Sequence, residues 1–207
     1  MEVFLRLEAL IPEPYATMIF VAFITGLRVS EVIGLKWRSV NFGAMKITID
    51  ERYSRGDWGA PKSAASNATV DVCWLVIERL EKLKTLTVDV KAGNSTRKVR
   101  VVKSDGPDDL VFQSLEKGGP MRDNNILVRH LKPAGKKLGI EWINWQVLRR
   151  SFATWLKESG VDIKEAQGLM RHSRASTTLD VYMQFVPASQ RRAVDNLGKL
   201  YQKASIN

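Results

Sequence analysis

The sequence is poor in the residues that build metal centres and disulfide frameworks. Its 207 residues include one cysteine, Cys73, and two histidines, His130 and His172. A single thiol excludes a disulfide framework and a cysteine-rich zinc site, and two imidazoles are too few for a histidine-rich metal site. No apolar run reaches membrane-spanning length: the longest charge-free stretch, Pro14 to Leu27, is too short and stands just after Glu8 and Glu13. The opening MEVFLRLEAL has no basic segment followed by an uninterrupted apolar stretch, so it does not read as a signal peptide. Repeats and low-complexity tracts are also lacking. A reducing, cytoplasmic setting is the default expectation.

What is present is ordinary globular composition with a strong charge bias. A hydrophobic share of 44% with 26% charged residues excludes wholesale disorder and suits a single domain with a sizeable core. Thirty-two Lys and Arg against 22 Asp and Glu leave a net charge of +10. Such an excess points to a polyanionic partner, either nucleic acid or an anionic membrane surface. It says nothing about fold.

Periodicity supplies the fold class. Apolar density from Tyr15 to Ile24 predicts a buried helix that Thr25-Gly26 breaks, and a second helix follows from Ser30, as cap, to Trp37. Alternation predicts strands over Lys46–Tyr53 and Ala68–Val72, joined by a Gly/Pro/Ser-rich turn, Ser54–Asn67, that carries Arg55 and Lys62. Trp74–Leu83 reads as a helix. Thr87–Val90 and Lys98–Val102 read as a basic hairpin or a flexible insertion, and Leu110–Phe112 as a short strand. A helix capped by Asp123 carries Leu127, Leu131, Ala134 and Leu138 on one face and should kink at Pro133. The last third is the most helical, with segments Gln146–Ser159, Ile163–Arg171, Thr177–Gln184 and Ala188–Tyr201. The expected class is therefore mixed, mainly α with a small antiparallel β-sheet.

Several residues invite a chemical reading beside a bland one. Arg28, in TGLRVSEVIGLKW, stands where one helix stops and the next starts, a position that favours an anion; it can equally be a solvated arginine paired with Glu31. Arg149, in INWQVLRRSFATWL, falls about 100° round the helix from Leu148. It thus lies at the edge of the stripe Leu148, Phe152, Trp155 and Leu156, where a guanidinium either presents its fork to a phosphate or snorkels over the core. His172 follows a short amphipathic helix and reads as structural or exposed as readily as functional. Tyr182 shares helical spacing with Leu179, Met183 and Val186, a core stripe by periodicity alone. Lys62, on a turn, is by itself a solubilising charge.

Order and context change the weight of these residues. TGLRVSEVIGLKW, the LRRSFAT box and MRHSRASTTLDVY, with Tyr182 ten residues after His172, together resemble the tyrosine recombinase (phage integrase) family from about Tyr15 to about Asn196. The resemblance implies that family's catalytic-domain fold. It also implies a metal-free, ATP-free reaction in which a tyrosine hydroxyl attacks a DNA phosphate, forms a 3′-phosphotyrosyl link and releases a 5′-hydroxyl. On this pattern Arg28 and Arg149 grip the non-bridging oxygens and Lys62 protonates the leaving oxygen. His172 hydrogen-bonds the phosphate or assists proton transfer, and Tyr182 is the nucleophile. Glu31 would orient a neighbour rather than react. The expected partners are double-stranded DNA and, during synapsis, further copies of the chain; no cofactor and no membrane are implied.

Two departures from the family pattern stand out. Gln146 occupies the place of a histidine three residues before the second arginine; an amide can hydrogen-bond a phosphate oxygen but cannot exchange a proton near pH 7. The family also carries a helical DNA-clamping domain ahead of the catalytic one, and 27 residues precede Arg28. The sequence is accordingly read as a single catalytic domain, with a core over about 12–186. A tail helix over 187–207 is expected either to be exchanged between subunits or to fold back on its own core. The type IB topoisomerases, which share the chemistry, and a DNA-binding relative that forms no covalent link are the alternative readings. In either case the protein is expected to be bacterial or phage-encoded.

Overall fold

The computed structural model describes residues 1–61, 67–93, 95–174, 176, 178–179, 195–196, 199 and 202. Helix α2 (Tyr15–Thr25) forms the centre. Its sequence, YATMIFVAFIT, is apolar on every face, which suits a helix surrounded by other elements. Nine of its eleven residues are buried, Met18, Ile19 and Val21 completely. Helix α1 (Glu2–Glu8) covers one side, with the Phe4 ring stacked on Phe23 at 3.7 Å between centroids. Helix α4 (Trp74–Thr85) packs on another side through Val76, Leu80 and Leu83. Its Arg79 lies over the Phe20 ring and pairs with Glu8.

The short helix α3 (Val29–Ile33) leaves α2 after Gly26, whose φ of 61° is the left-handed stop that glycine adopts without strain. Its cap is Arg28, two residues before the expected Ser30, and the Glu31 carboxylate reaches back to the Arg28 N–H at 2.9 Å. It also ends sooner than expected, at Ile33, and the chain continues into a 3-10 turn at Trp37–Ser39.

The sheet is antiparallel with strand order β1 (Val40–Asn41), β2 (Lys46–Ile49), β5 (Ala68–Asp71), and Ile47 pairs with Val70. The single strand expected over Lys46–Tyr53 is interrupted at Asp50-Glu51. These carboxylates engage Lys36 and Arg38, and the chain switches partner there. Strand β3 (Arg52–Ser54) then pairs with β4 (Asp57–Gly59), a hairpin whose second strand lies inside the segment expected to be a turn. Of the two readings of the next stretch, hairpin or flexible insertion, the hairpin is found: strands β6 (Thr87–Ala92) and β7 (Ser95–Arg100) pair with Thr87 opposite Arg100. Leu110–Phe112 is buried but makes only an isolated bridge, Leu110 to Lys36, so it is not a strand.

In the last third, α5 (Asp123–Ile126) and α6 (Lys132–Lys137) flank a π-helical stretch, Leu127–Leu131. The wider turn lies just before Pro133, which cannot donate to the ladder. Helix α7 (Trp145–Glu158) is capped by the Asn144 side chain, which accepts the Val147 N–H at 3.0 Å. Helix α8 (Ile163–Met170) is capped by Asp162, which accepts from Lys164 and Glu165. It stops at Met170 rather than Arg171, which is left-handed. The two helices expected over Thr177–Gln184 and Ala188–Tyr201 fall almost wholly outside the described residues, as does the tail. No helix among the described residues is long and apolar enough to cross a membrane.

Candidate active site

Three helix ends meet at one point: the C-terminus of α2, the N-terminus of α3 and the C-terminus of α8. Helix α7 passes beside them, placed by Phe152, whose ring occupies the space that a Cβ on Gly26 would need. One turn before Phe152, Arg149 reaches into the junction. Its Nη1 donates to the Gly26 carbonyl and its Nη2 to the Met170 carbonyl. A single guanidinium therefore caps the carbonyl ends of two helices, where the backbone dipoles favour a cation. A guanidinium carries five N–H donors, so two carbonyls do not exhaust it.

Arg28 stands at the head of α3, and its Nη1 pairs with Glu31 Oε1 at 2.8 Å. The other carboxylate oxygen, Oε2, accepts from the Arg28 N–H and from Arg171 Nη2 at 2.8 Å. Glu31, 2% exposed, thus bridges two guanidiniums. His172 follows Arg171, and its Nδ1 is 3.0 Å from the Thr178 hydroxyl. The Gln167 side chain steadies the same turn by donating to the His172 carbonyl.

The electrostatics follow from packing cations together out of water. Burial, reinforced by Arg28 and Arg171, lowers the Arg149 pKa to about 9, so it remains protonated at neutral pH. Burial also lowers Arg171, against the opposing pull of Glu31. His172 is pushed down to about 4, first by burial and then by Arg149, Arg28 and Arg171. It is therefore a neutral imidazole at pH 7, able to donate or accept a hydrogen bond but not to add a charge.

Of the six residues expected from sequence, the structure brings Arg28 together with Arg149 and His172, both more than a hundred residues further along the chain. Gln146 is exposed and lies three residues before Arg149 on α7, hence on a neighbouring face. Lys62 and Tyr182 lie outside the described residues. Sequence reasoning missed Arg171 and Thr178, since nothing in MRHSRASTT separates a buried arginine or threonine from an exposed one. Among the described residues no cluster of three or more His, Cys, Asp or Glu side chains suits a metal ion.

The chain is also similar to known proteins. The chain is 28% identical to a tyrosine recombinase XerC-like protein of Caldanaerobacter subterraneus over 94% of its length and 51% of the relative's. It is 26% identical to the ICEBs1 integrase of Bacillus subtilis over 96% of its length and 53% of the relative's. The chain thus spans about half the length of the curated relatives it matches. Among solved structures it resembles a Tn1549 transposon integrase in complex with a circular intermediate DNA, at a TM-score of 0.71 and 19% identity, covering 92% of this chain and 62% of that one. The catalytic domain of bacteriophage HP1 integrase matches at a TM-score of 0.55 and 19% identity, covering 94% of this chain and 90% of that one. At such identity these likenesses show a shared fold, that of the tyrosine recombinase catalytic domains. The model of the phage integrase family matches residues 6–187. By that match, which covers most of the sequence and all three motif boxes, the chain belongs to the phage integrase family.

Proposed function

We propose that the chain is the catalytic domain of a site-specific DNA recombinase or integrase that cuts and rejoins strands through a 3′-phosphotyrosyl link. The observation that carries this reading is the convergence of Arg28, Arg149 and His172 on one junction of helix ends. Two guanidiniums held there at neutral pH suit the non-bridging oxygens of a phosphodiester, which gain charge in the transition state. In the tautomer whose Nδ1 accepts from Thr178, the neutral His172 offers its Nε2–H to a phosphate oxygen as a hydrogen-bond donor. In this role it does not act as a cation.

The remaining roles come from the family. The Tyr182 hydroxyl attacks phosphorus as its proton leaves, and the bond from phosphorus to the 5′ oxygen breaks. Lys62 gives a proton to the departing oxygen. The phosphotyrosyl ester keeps the bond energy, so a 5′-hydroxyl reseals the strand by the reverse steps. Gln146 hydrogen-bonds the phosphate without exchanging a proton. Double-stranded DNA is the partner that fits the +10 charge, and self-association on DNA through the 187–207 tail belongs to the same reading.

The test is trapping of a protein–DNA adduct by SDS, with EDTA present, on supercoiled plasmid. The wild-type chain and Tyr182→Phe are compared, with DNA binding as the control. A covalent band that disappears in the variant supports the reading. Binding without a band in the wild-type chain favours the DNA-binding relative that forms no covalent link.

A further inference from the structure

Arg171 bears two costs that its position alone does not explain. It is a non-glycine residue with φ 51°, where an L side chain crowds its own backbone. Its side chain is 1% exposed, and its Nε and Nη1 find no hydrogen-bond partner among the described residues. A buried guanidinium with unsatisfied donors is expensive, and even a well-made buried ion pair contributes little net stability. Glycine at this turn would remove both costs.

What Arg171 gains is control of Glu31. The carboxylate holds the N-terminus of α3 and pairs with Arg28, so without a second cation it would neutralise one of the two charges offered to the phosphate. Arg171 Nη2, at 2.8 Å from Oε2, restores the missing charge and draws the carboxylate toward α8. This bond also ties the turn that bears His172 to the helix that bears Arg28.

We infer that Arg171 is a positioning residue of the phosphate site: it holds Glu31 and offsets its charge, so that the site keeps the net positive charge it presents to the phosphodiester. The inference rests on the strand-transfer reading above. It predicts a defect in chemistry rather than in DNA binding. Removing Arg171 leaves Glu31 to neutralise Arg28, so removing the Glu31 charge in the same chain should restore activity.

The experiment measures single-turnover adduct formation on supercoiled plasmid, well below the melting temperature of each variant, and binding to a short random-sequence duplex. Arg171→Met should slow adduct formation by about tenfold or more, with binding little changed. Arg171→Lys should retain most of the rate, and Glu31→Gln added to Arg171→Met should recover much of the loss. A merely structural role would lower the melting temperature of the Met variant and leave the rate per folded molecule unchanged. That result, or a rate loss that persists when Glu31 is made neutral, overturns the inference. Where the Met variant fails to fold, Arg171→Lys is set against Arg171→Gln, and equal rates overturn it. Adduct absent from the folded, DNA-bound wild-type chain overturns the strand-transfer reading itself, and this inference with it.

Discussion

Helices α2 and α8 end alike and are held in opposite ways. Each stops at a left-handed residue, Gly26 in one case and Arg171 in the other, and each surrenders a terminal carbonyl to the same Arg149 guanidinium. Around α2 nine of eleven residues are buried, whereas α8 buries Ala166 and Met170 out of eight. The first helix is fixed mainly by apolar packing, with Arg79 over its Phe20 ring and Arg149 at its last carbonyl. The second is held largely by polar bonds: the Asp162 cap at its head, and Arg149, Arg171 and Glu31 at the junction at its foot. The molecule thus holds one wall of the site mainly by packing and makes the other part of the electrostatics.

The strongest way to break the comparison is to remove the side chain that both helices share. Arg149→Ala should lower adduct formation by about 10²- to 10³-fold, the scale of losing an oriented transition-state donor. It should loosen α8 while leaving α2 intact, as checked by amide exchange along each helix. Next comes Ile19→Ala, which hollows the fully buried face of α2. It should cost about 2–5 kcal/mol in denaturant melts, with the adduct rate of the folded fraction unchanged. A large fall in that rate would show that the two walls are coupled.

A smaller effect is expected at the edge of the site. Gln146→His should raise adduct formation roughly tenfold where a proton-exchanging group assists there, below the ~10² of a fully engaged acid or base. An unchanged rate would say that hydrogen bonding suffices. The smallest effect concerns pH. The folded chain holds His172 at about 4 against its ordinary 6.5. Between those values the unfolded chain takes up a proton that the folded chain refuses, so stability falls as pH drops through that window. His172→Gln should flatten this part of the decline, read as the melting temperature at pH 7 and pH 5.

Much of this arrangement was legible in the sequence. The uniform apolarity of α2 and the amphipathic stripe of α7 fixed two helices to within a residue or so, and the alternation around residues 92–95 left a hairpin beside a flexible insertion, of which the hairpin forms. Three motif boxes in order marked Arg28, Arg149 and His172. Other features lay beyond what a pattern carries. Helix α1 buries Phe4, Leu7 and Glu8 on two short turns while Val3 and Leu5 stay exposed, too little repeat to announce a helix. Alternation from Lys46 to Tyr53 reports which way side chains point, but not that the hydrogen-bonding partner changes at Asp50-Glu51. Arg171 was invisible for a related reason: a charged residue reads as surface until its partner, 140 positions away, is known.

The seating of Phe152 against Gly26 gives the junction a mechanical stop. Arg149 and Phe152 ride on the same helix three residues apart, so the ring at the end of α2 sets how far along its own axis α7 can slide. One residue of slip is about 1.5 Å, enough to carry the guanidinium off the carbonyls it caps. Any side chain placed at residue 26 must push that ring aside, and so changes the reach of an arginine 123 positions further along the chain. In this fold a missing methyl group serves as the gauge that sets the distance between helices.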